Sequence, residues 1–192
     1  MTHTFNTPIG AVRLTEEGGS IIRIELTNAA DTSSAPTPLL REAEHQITAF
    51  LRGERRHLDF PIRMVGTPFQ QRVWQALQQI PYGATRTYGA IATAIGNSRA
   101  GRAVGMACNK NPLLLIVPCH RVVGANGKLV GFAYGTEAKR RLLELESRYI
   151  FNFTPFHSSA GFCFIDDTVI TSTIAPGQVV GTPPQEYLPN LR

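Results

Sequence analysis

The chain has 192 residues, 43% of them hydrophobic and 17% charged, with a formal net charge of +5. That is enough for one sizeable domain or two small ones around a real core, and no apolar run approaches the roughly 20 residues of a membrane span. The opening MTHTFNTPIG lacks the basic-then-apolar order of a signal peptide, and Cys108, Cys119 and Cys163 fit neither a disulfide framework nor a zinc template. The expected setting is therefore the reducing cytoplasm, with no membrane, metal or cofactor.

The charge is zoned. Between Asp59 and Glu137 there is no acidic residue, while Arg63, Arg72, Arg86, Arg99, Arg102, Lys110, Arg121 and Lys128 all lie there. A basic excess confined to one stretch points to a polyanionic partner, most simply nucleic acid.

In chain order, Ile9, Val12 and Leu14, then Ile21, Ile22, Ile24 and Leu26, alternate as strands around the turn Glu17-Gly-Gly-Ser20, which predicts a hairpin. Asn28 to Pro38 is a polar connector. Leu40, Ala43, Ile47, Phe50 and Leu51 recur at helical spacing, and Gly53 stops that helix. His57 to Met64 is expected as another short strand. Thr67-Pro68-Phe69-Gln70 has the form of a capping box with proline at the first helical position, and Val73, Trp74, Leu77 and Ile80 continue the stripe, with Trp74 as core. After the Pro81-Tyr-Gly83 turn, Thr87 caps a short helix to Ile95. Gly96 turns the chain, and Asn97 or Ser98 caps a second, basic helix from Arg99 to about Cys108. The pair has a helix-turn-helix outline.

Leu113 to Val117 is an apolar run suited to a buried strand or extended segment, ended by Pro118. Cys119 and His120 follow, a nucleophile beside a base. A free thiol of pKa about 8.5 must lose its proton to act, and an imidazole or a basic neighbour such as Arg121 is the usual means. Neighbours in an extended chain point to opposite sides, so proton transfer to His120 needs a water relay or a bend at Pro118. The same pair also reads as a buried structural thiol beside a satisfied histidine. Further on, Ala138, Leu142, Leu143 and Leu145 mark a helix from Thr136 to about Arg148, with Glu146 at the margin of its inward face. A carboxylate there needs a partner; a Glu146–His120–water–Cys119 relay supplies one, and an exposed Glu146 pairing with Arg141 or a solvated neighbour is the alternative.

Pro118-Cys-His-Arg-Val122, Arg102-Ala-Val-Gly105, Asn111-Pro112, Pro81-Tyr-Gly83 with Thr87-Tyr88, and Leu142-Leu143 with Glu146 together resemble the O6-alkylguanine-DNA alkyltransferases, in order from about Gly66 to Glu146. The Thr7-Pro-Ile-Gly10 hairpin and the helix after it resemble that family's small N-terminal domain. The resemblance implies an enzyme that acts once, moving an alkyl group from guanine O6 or thymine O4 in duplex DNA irreversibly onto its own cysteine. Cys119 would be the acceptor, His120 the water-mediated base, Glu146 its orienting partner and Asn111 a brace. Arg102 would fill the gap left by a flipped nucleotide and Tyr88 would press on the DNA backbone. Main-chain groups of Cys119, Val122 and Ala133 would read the base, in a pocket completed by Phe132 and Tyr134. Binding would be to the minor groove, by a monomer.

The expected fold is α+β. Residues 1–65 form a small N-terminal α/β domain, a hairpin-containing sheet plus helix. Residues 66–148 form a mostly helical, winged-helix-like domain with the helix-turn-helix. Two departures from the family pattern stand out. Phe132-Ala-Tyr-Gly135 replaces a Gly-Gly pair of many relatives, and residues 149–192 match nothing in the family and are expected to be poorly ordered. The metal-binding cysteine cluster of adaptive-response relatives is absent, so no transcriptional role is expected. The competing readings are a non-catalytic protein of the same fold that binds alkylated bases, a helix-turn-helix regulator with an incidental cysteine, and a cysteine hydrolase.

Overall fold

The computed structural model describes residues 1–28, 35–152, 162–165 and 168–171, with side chains only as far as residue 148. The amino-terminal alternation becomes three antiparallel strands, where the sequence predicts one hairpin: β1 (Thr2–Thr7), β2 (Gly10–Glu17) and β3 (Ser20–Thr27), in that order across the sheet. Phe5 faces Val12 and Leu14 faces Ile24, so one sheet face is apolar. Gly18 and Gly19 both take positive φ, the tight hairpin turn that matches strand twist. Against that face lies α1 (Pro38–Leu51), whose Leu40, Ala43, Ile47 and Phe50 are buried. Thr37 caps it, accepting from the Leu40 N–H at 3.1 Å, and Gly53 ends it at φ +77°.

The strand expected over His57 to Met64 reduces to a single parallel bridge between Ile62 and Ile21. Pro61 has no N–H to extend a ladder, and the segment is held instead by the buried Gln46 amide, which donates to the Asp59 carbonyl and accepts from its N–H.

The second half begins with α2 (Pro68–Gln78), opened by the predicted capping box between Thr67 and Gln70. Trp74 is core, and its indole N–H donates to the Ala107 carbonyl at 2.9 Å. A Cβ on Gly66 would stand 2.5 Å from that indole ring, so only glycine lets the chain pass. A two-residue strand, β4 (Arg86–Thr87), leads into α3 (Tyr88–Ala94), capped by Thr87 as predicted. Gly96 at φ +77° turns the chain into α4 (Gly101–Asn109). This second helix starts later than the expected Arg99. Asn97 caps nothing with its side chain; its carbonyl accepts from the Ala100 N–H and builds the turn itself.

The apolar run Leu113 to Val117 is buried but is not a strand. Leu113 makes one bridge to Ile24 on the free edge of β3, then Leu115 takes φ +73° and Val117 N–H closes onto the Leu113 carbonyl. A leucine in the left-handed region is held there against its own preference. Cys119–Arg121 form a 3-10 turn, followed by β5 (Val122–Val123), which pairs parallel with β4. The last long helix, α5 (Thr136–Asn152), runs four residues past the expected Arg148. Beyond it, β6 (Phe162–Ile165) and β7 (Thr168–Thr171) pair antiparallel. The expected poor order of residues 149–192 otherwise falls outside the described residues. The buried apolar cluster is continuous from Phe5 to Leu142 and floors the Cys119 turn. Among the described residues no helix is long and apolar enough to cross a membrane.

Candidate active site

Asn111 organises the segment that carries the thiol. Its side-chain carbonyl accepts from the Leu113 N–H at 2.9 Å, while its amide donates to the Val117 carbonyl at 2.8 Å and to Cys119 Sγ at 3.1 Å. One side chain thus fixes both ends of the strained turn and aims at the sulfur. Asn111→Ala strands the Leu113 N–H at a buried residue, while the Val117 carbonyl keeps the Cys119 N–H at 2.8 Å. It is expected to cost about 1–3 kcal/mol, read as a lower urea midpoint.

Cys119 is 4% exposed. Burial dominates its titration and pushes the thiol above its ordinary value. The Asn111 amide, the Lys139 charge and the backbone N–H groups of Cys119 and His120 oppose it. The expectation that basic neighbours leave a lowered thiol is therefore corrected: desolvation penalises the thiolate more than these groups favour it. Of the two routes the sequence leaves open between Cys119 and His120, the bend at Pro118 is present, as a 3-10 turn that starts directly after it.

His120 and Glu146 are both fully buried and joined by Nε2 and Oε1 at 2.8 Å. His120 Nδ1 is buried and has no hydrogen-bond partner among the described residues. Arg121, read from the sequence only as a neighbour of the thiol, is committed to Glu146. Its Nε and Nη2 reach the carboxylate at 2.9–3.1 Å, its Nη1 donates to the Ile80 carbonyl at 2.7 Å, and its guanidinium lies over the Tyr82 ring. The Gly83 N–H donates to the other carboxylate oxygen at 2.8 Å. Burial alone would raise the Glu146 pKa, but His120 and Arg121 outweigh it and hold the carboxyl at about 2. The alternative partner, Arg141, instead pairs with Glu137.

Lys139 is the residue that sequence reasoning missed. It is fully buried, donates to the carbonyls of Val122 and Val130, and lies over the Tyr88 ring. Burial lowers its pKa, with opposition from Cys119 and Cys108. A signal was present: Lys139, Leu142 and Glu146 stand at i, i+3 and i+7, on one helix face. The Tyr88 hydroxyl sits 3.1 and 2.9 Å from the carbonyls of Val130 and Gly131, and burial foremost raises its pKa to about 12, so it remains a donor. Lys139 and Tyr88 thereby tie α5 and α3 to the loop that holds Phe132, Ala133 and Tyr134. In that loop the Phe132 and Tyr134 rings meet edge to face at 5.7 Å and Ala133 is exposed.

The structure brings the buried Cys119, His120, Glu146 and Val122 together, with the half-buried Asn111 and Tyr88 at the edge of the cluster. Arg102 stands apart, exposed on the second turn-forming residue of α4. Among the described residues no cluster of histidine, cysteine and carboxylate could hold a metal ion.

Residues 68–148 match the family described as 6-O-methylguanine DNA methyltransferase, DNA binding domain. Fold and site thus define a DNA-binding protein whose buried Cys119 is held by Asn111 beside the His120–Glu146 pair. A methylated-DNA–protein-cysteine methyltransferase of Methanosarcina acetivorans is 47% identical over 148 residues, covering 74% of this chain and 95% of its own. The constitutive enzyme of that name from Bacillus subtilis is 43% identical, with coverage of 74% and 93%. The crystal structure of Mycobacterium tuberculosis OGT in complex with DNA matches with a TM-score of 0.70 and 44% identity, over 77% of this chain and 93% of that one. The chain belongs to the methylated-DNA–protein-cysteine methyltransferase family.

Proposed function

We propose that this protein repairs alkylated DNA by taking a methyl or other alkyl group from guanine O6, or from thymine O4, onto Cys119. The observation that carries the reading is the Cys119 thiol bonded by Asn111 and set one residue from the buried His120–Glu146–Arg121 chain. Because Glu146 occupies Nε2, the free imidazole nitrogen is Nδ1, and that is where the thiol proton goes, by way of a water molecule. The carboxylate fixes the tautomer and balances the imidazolium. The thiolate then attacks the alkyl carbon. A carbon–sulfur bond forms as the carbon–O6 bond breaks, the electron pair stays with guanine, and guanine takes up one proton for the one Cys119 lost. A thioether has no good leaving group, so each molecule acts once.

A base inside a duplex cannot meet a buried thiol, so it must be flipped out at a cost of a few kcal/mol. Arg102, exposed at the start of α4, would fill the gap. The helix-turn-helix of α3 and α4, with residues 124–131 as its wing, would lie in the minor groove, where a repair enzyme needs no sequence readout. Main-chain groups of Cys119, Val122 and Ala133 would hold the base against Phe132, Tyr134 and Tyr88. Residues 66–148 carry this chemistry and 1–65 buttress it, in a monomer working in the cytoplasm. The non-catalytic reading is disfavoured because the acceptor position holds a cysteine.

Intact-mass and peptide mass spectrometry after incubation with a duplex containing O6-methylguanine tests the proposal. One added methyl per chain is expected, on Cys119 and not on Cys108 or Cys163. Repeated turnover, or label elsewhere, overturns it.

A further inference from the structure

Among the described residues Met106 is the most exposed large hydrophobic side chain, at 70%. It lies on α4, on the face that also presents Arg102, Ala103 and Lys110 to solvent. A lone exposed apolar residue is ordinary, but this one has a place. Arg102 and Met106 are four residues apart, so they share a helix face and stand about 6 Å apart along its axis. That is close to two base steps of about 3.4 Å each. Between them in the chain Gly105 offers no side chain, and it lies against the Tyr88 ring, where a Cβ would make an ordinary contact at 3.7 Å.

We propose that Met106 is an apolar wedge that enters the minor groove beside Arg102 and lowers the cost of extruding the damaged nucleotide. This rests on the DNA-repair reading above. Apolar side chains that enter the minor groove part a base step and bend the duplex, and a thioether chain adapts to any step because it is unbranched and polarizable. The partner is set by charge: the same face carries Arg102 and Lys110, Arg99 precedes it, and the stretch around it has no acidic residue from Phe60 to Thr136. Met106 donates no hydrogen bond to a base edge, so it adds opening force without sequence preference. Arg102 supplies a cation for the vacated space, and Met106 strains the neighbouring step.

The test is the single-turnover rate of full-length Met106→Ala, Met106→Gln and Met106→Leu, each on an O6-methylguanine oligonucleotide as duplex and as single strand. The duplex-to-single-strand rate ratio is expected to fall about tenfold for Met106→Ala. It should fall comparably for Met106→Gln, which keeps the length but not the apolar tip, and stay near wild type for Met106→Leu. An unchanged ratio in Met106→Ala overturns the wedge, as does full activity in Met106→Gln. An equal loss on both substrates also overturns it, since it would place Met106 in the acceptor site. Wild-type protein that leaves Cys119 unalkylated would instead sink the repair reading itself.

Discussion

Glu146→Ala should lower stability by about 3–5 kcal/mol, because it leaves the Arg121 guanidinium buried and unpaired. In a chain of this size that is about 10 °C in melting temperature. The same change should slow alkyl transfer about a hundredfold, as expected when a base loses its orienting partner. The acid limb distinguishes the ionic role from simple packing. The Glu146 carboxyl titrates at about 2 in the folded protein against an ordinary 4.5. A depressed carboxyl stabilises the fold above its unfolded pKa, and that contribution disappears as pH falls from about 4.5 towards 2. The contribution is roughly 3 kcal/mol. Unfolding free energy measured by denaturant at pH 7 and pH 3 should therefore drop more in wild type than in Glu146→Ala. Equal drops would show that the carboxylate charge is not what the site stabilises.

Arg102→Ala should slow repair of duplex DNA by about two orders of magnitude, the rate equivalent of the few kcal/mol needed to hold a base outside the stack. Its reaction with free O6-methylguanine base should stay within about twofold of wild type. Arg102 makes no contact with the Cys119 cluster and is exposed on α4, so nothing in the thiol chemistry passes through it. His120→Ala should slow both reactions, because it acts on the sulfur. Equal losses on the two substrates for Arg102→Ala would remove the flipping role and return Arg102 to a general phosphate contact.

Much of this molecule was legible where the signal is local. Thr37, Thr67 and Thr87 each cap the helix that follows, because a hydroxyl reaches an amide two or three residues on whatever the rest of the chain does. Gly53 and Gly96 stop helices for an equally local reason, a positive φ that other residues resist. Pro118-Cys-His-Arg121 could be read as chemistry from its residue types, and Glu146 as its partner from helical period and the cost of a buried carboxylate. His57 to Met64 failed as a strand because a strand is a pairing, and Pro61 offers its neighbour too little to pair with.

What the sequence by itself determined is the helices with their caps, the Cys119-His120 pair as the candidate chemistry, and the basic zone around it. These follow from covalent geometry, side-chain chemistry and charge counts. Only the tertiary structure decided how the thiol stands. The Leu113–Val117 run looks extended from its side chains, yet Asn111 folds it into a turn with Leu115 at positive φ. Arg121 is two residues from the thiol in sequence but faces Glu146, and the cation whose field reaches Cys119 is Lys139, from α5. The sign of the Cys119 shift also waited for the fold, since desolvation depends on how completely residues distant in sequence close over the sulfur.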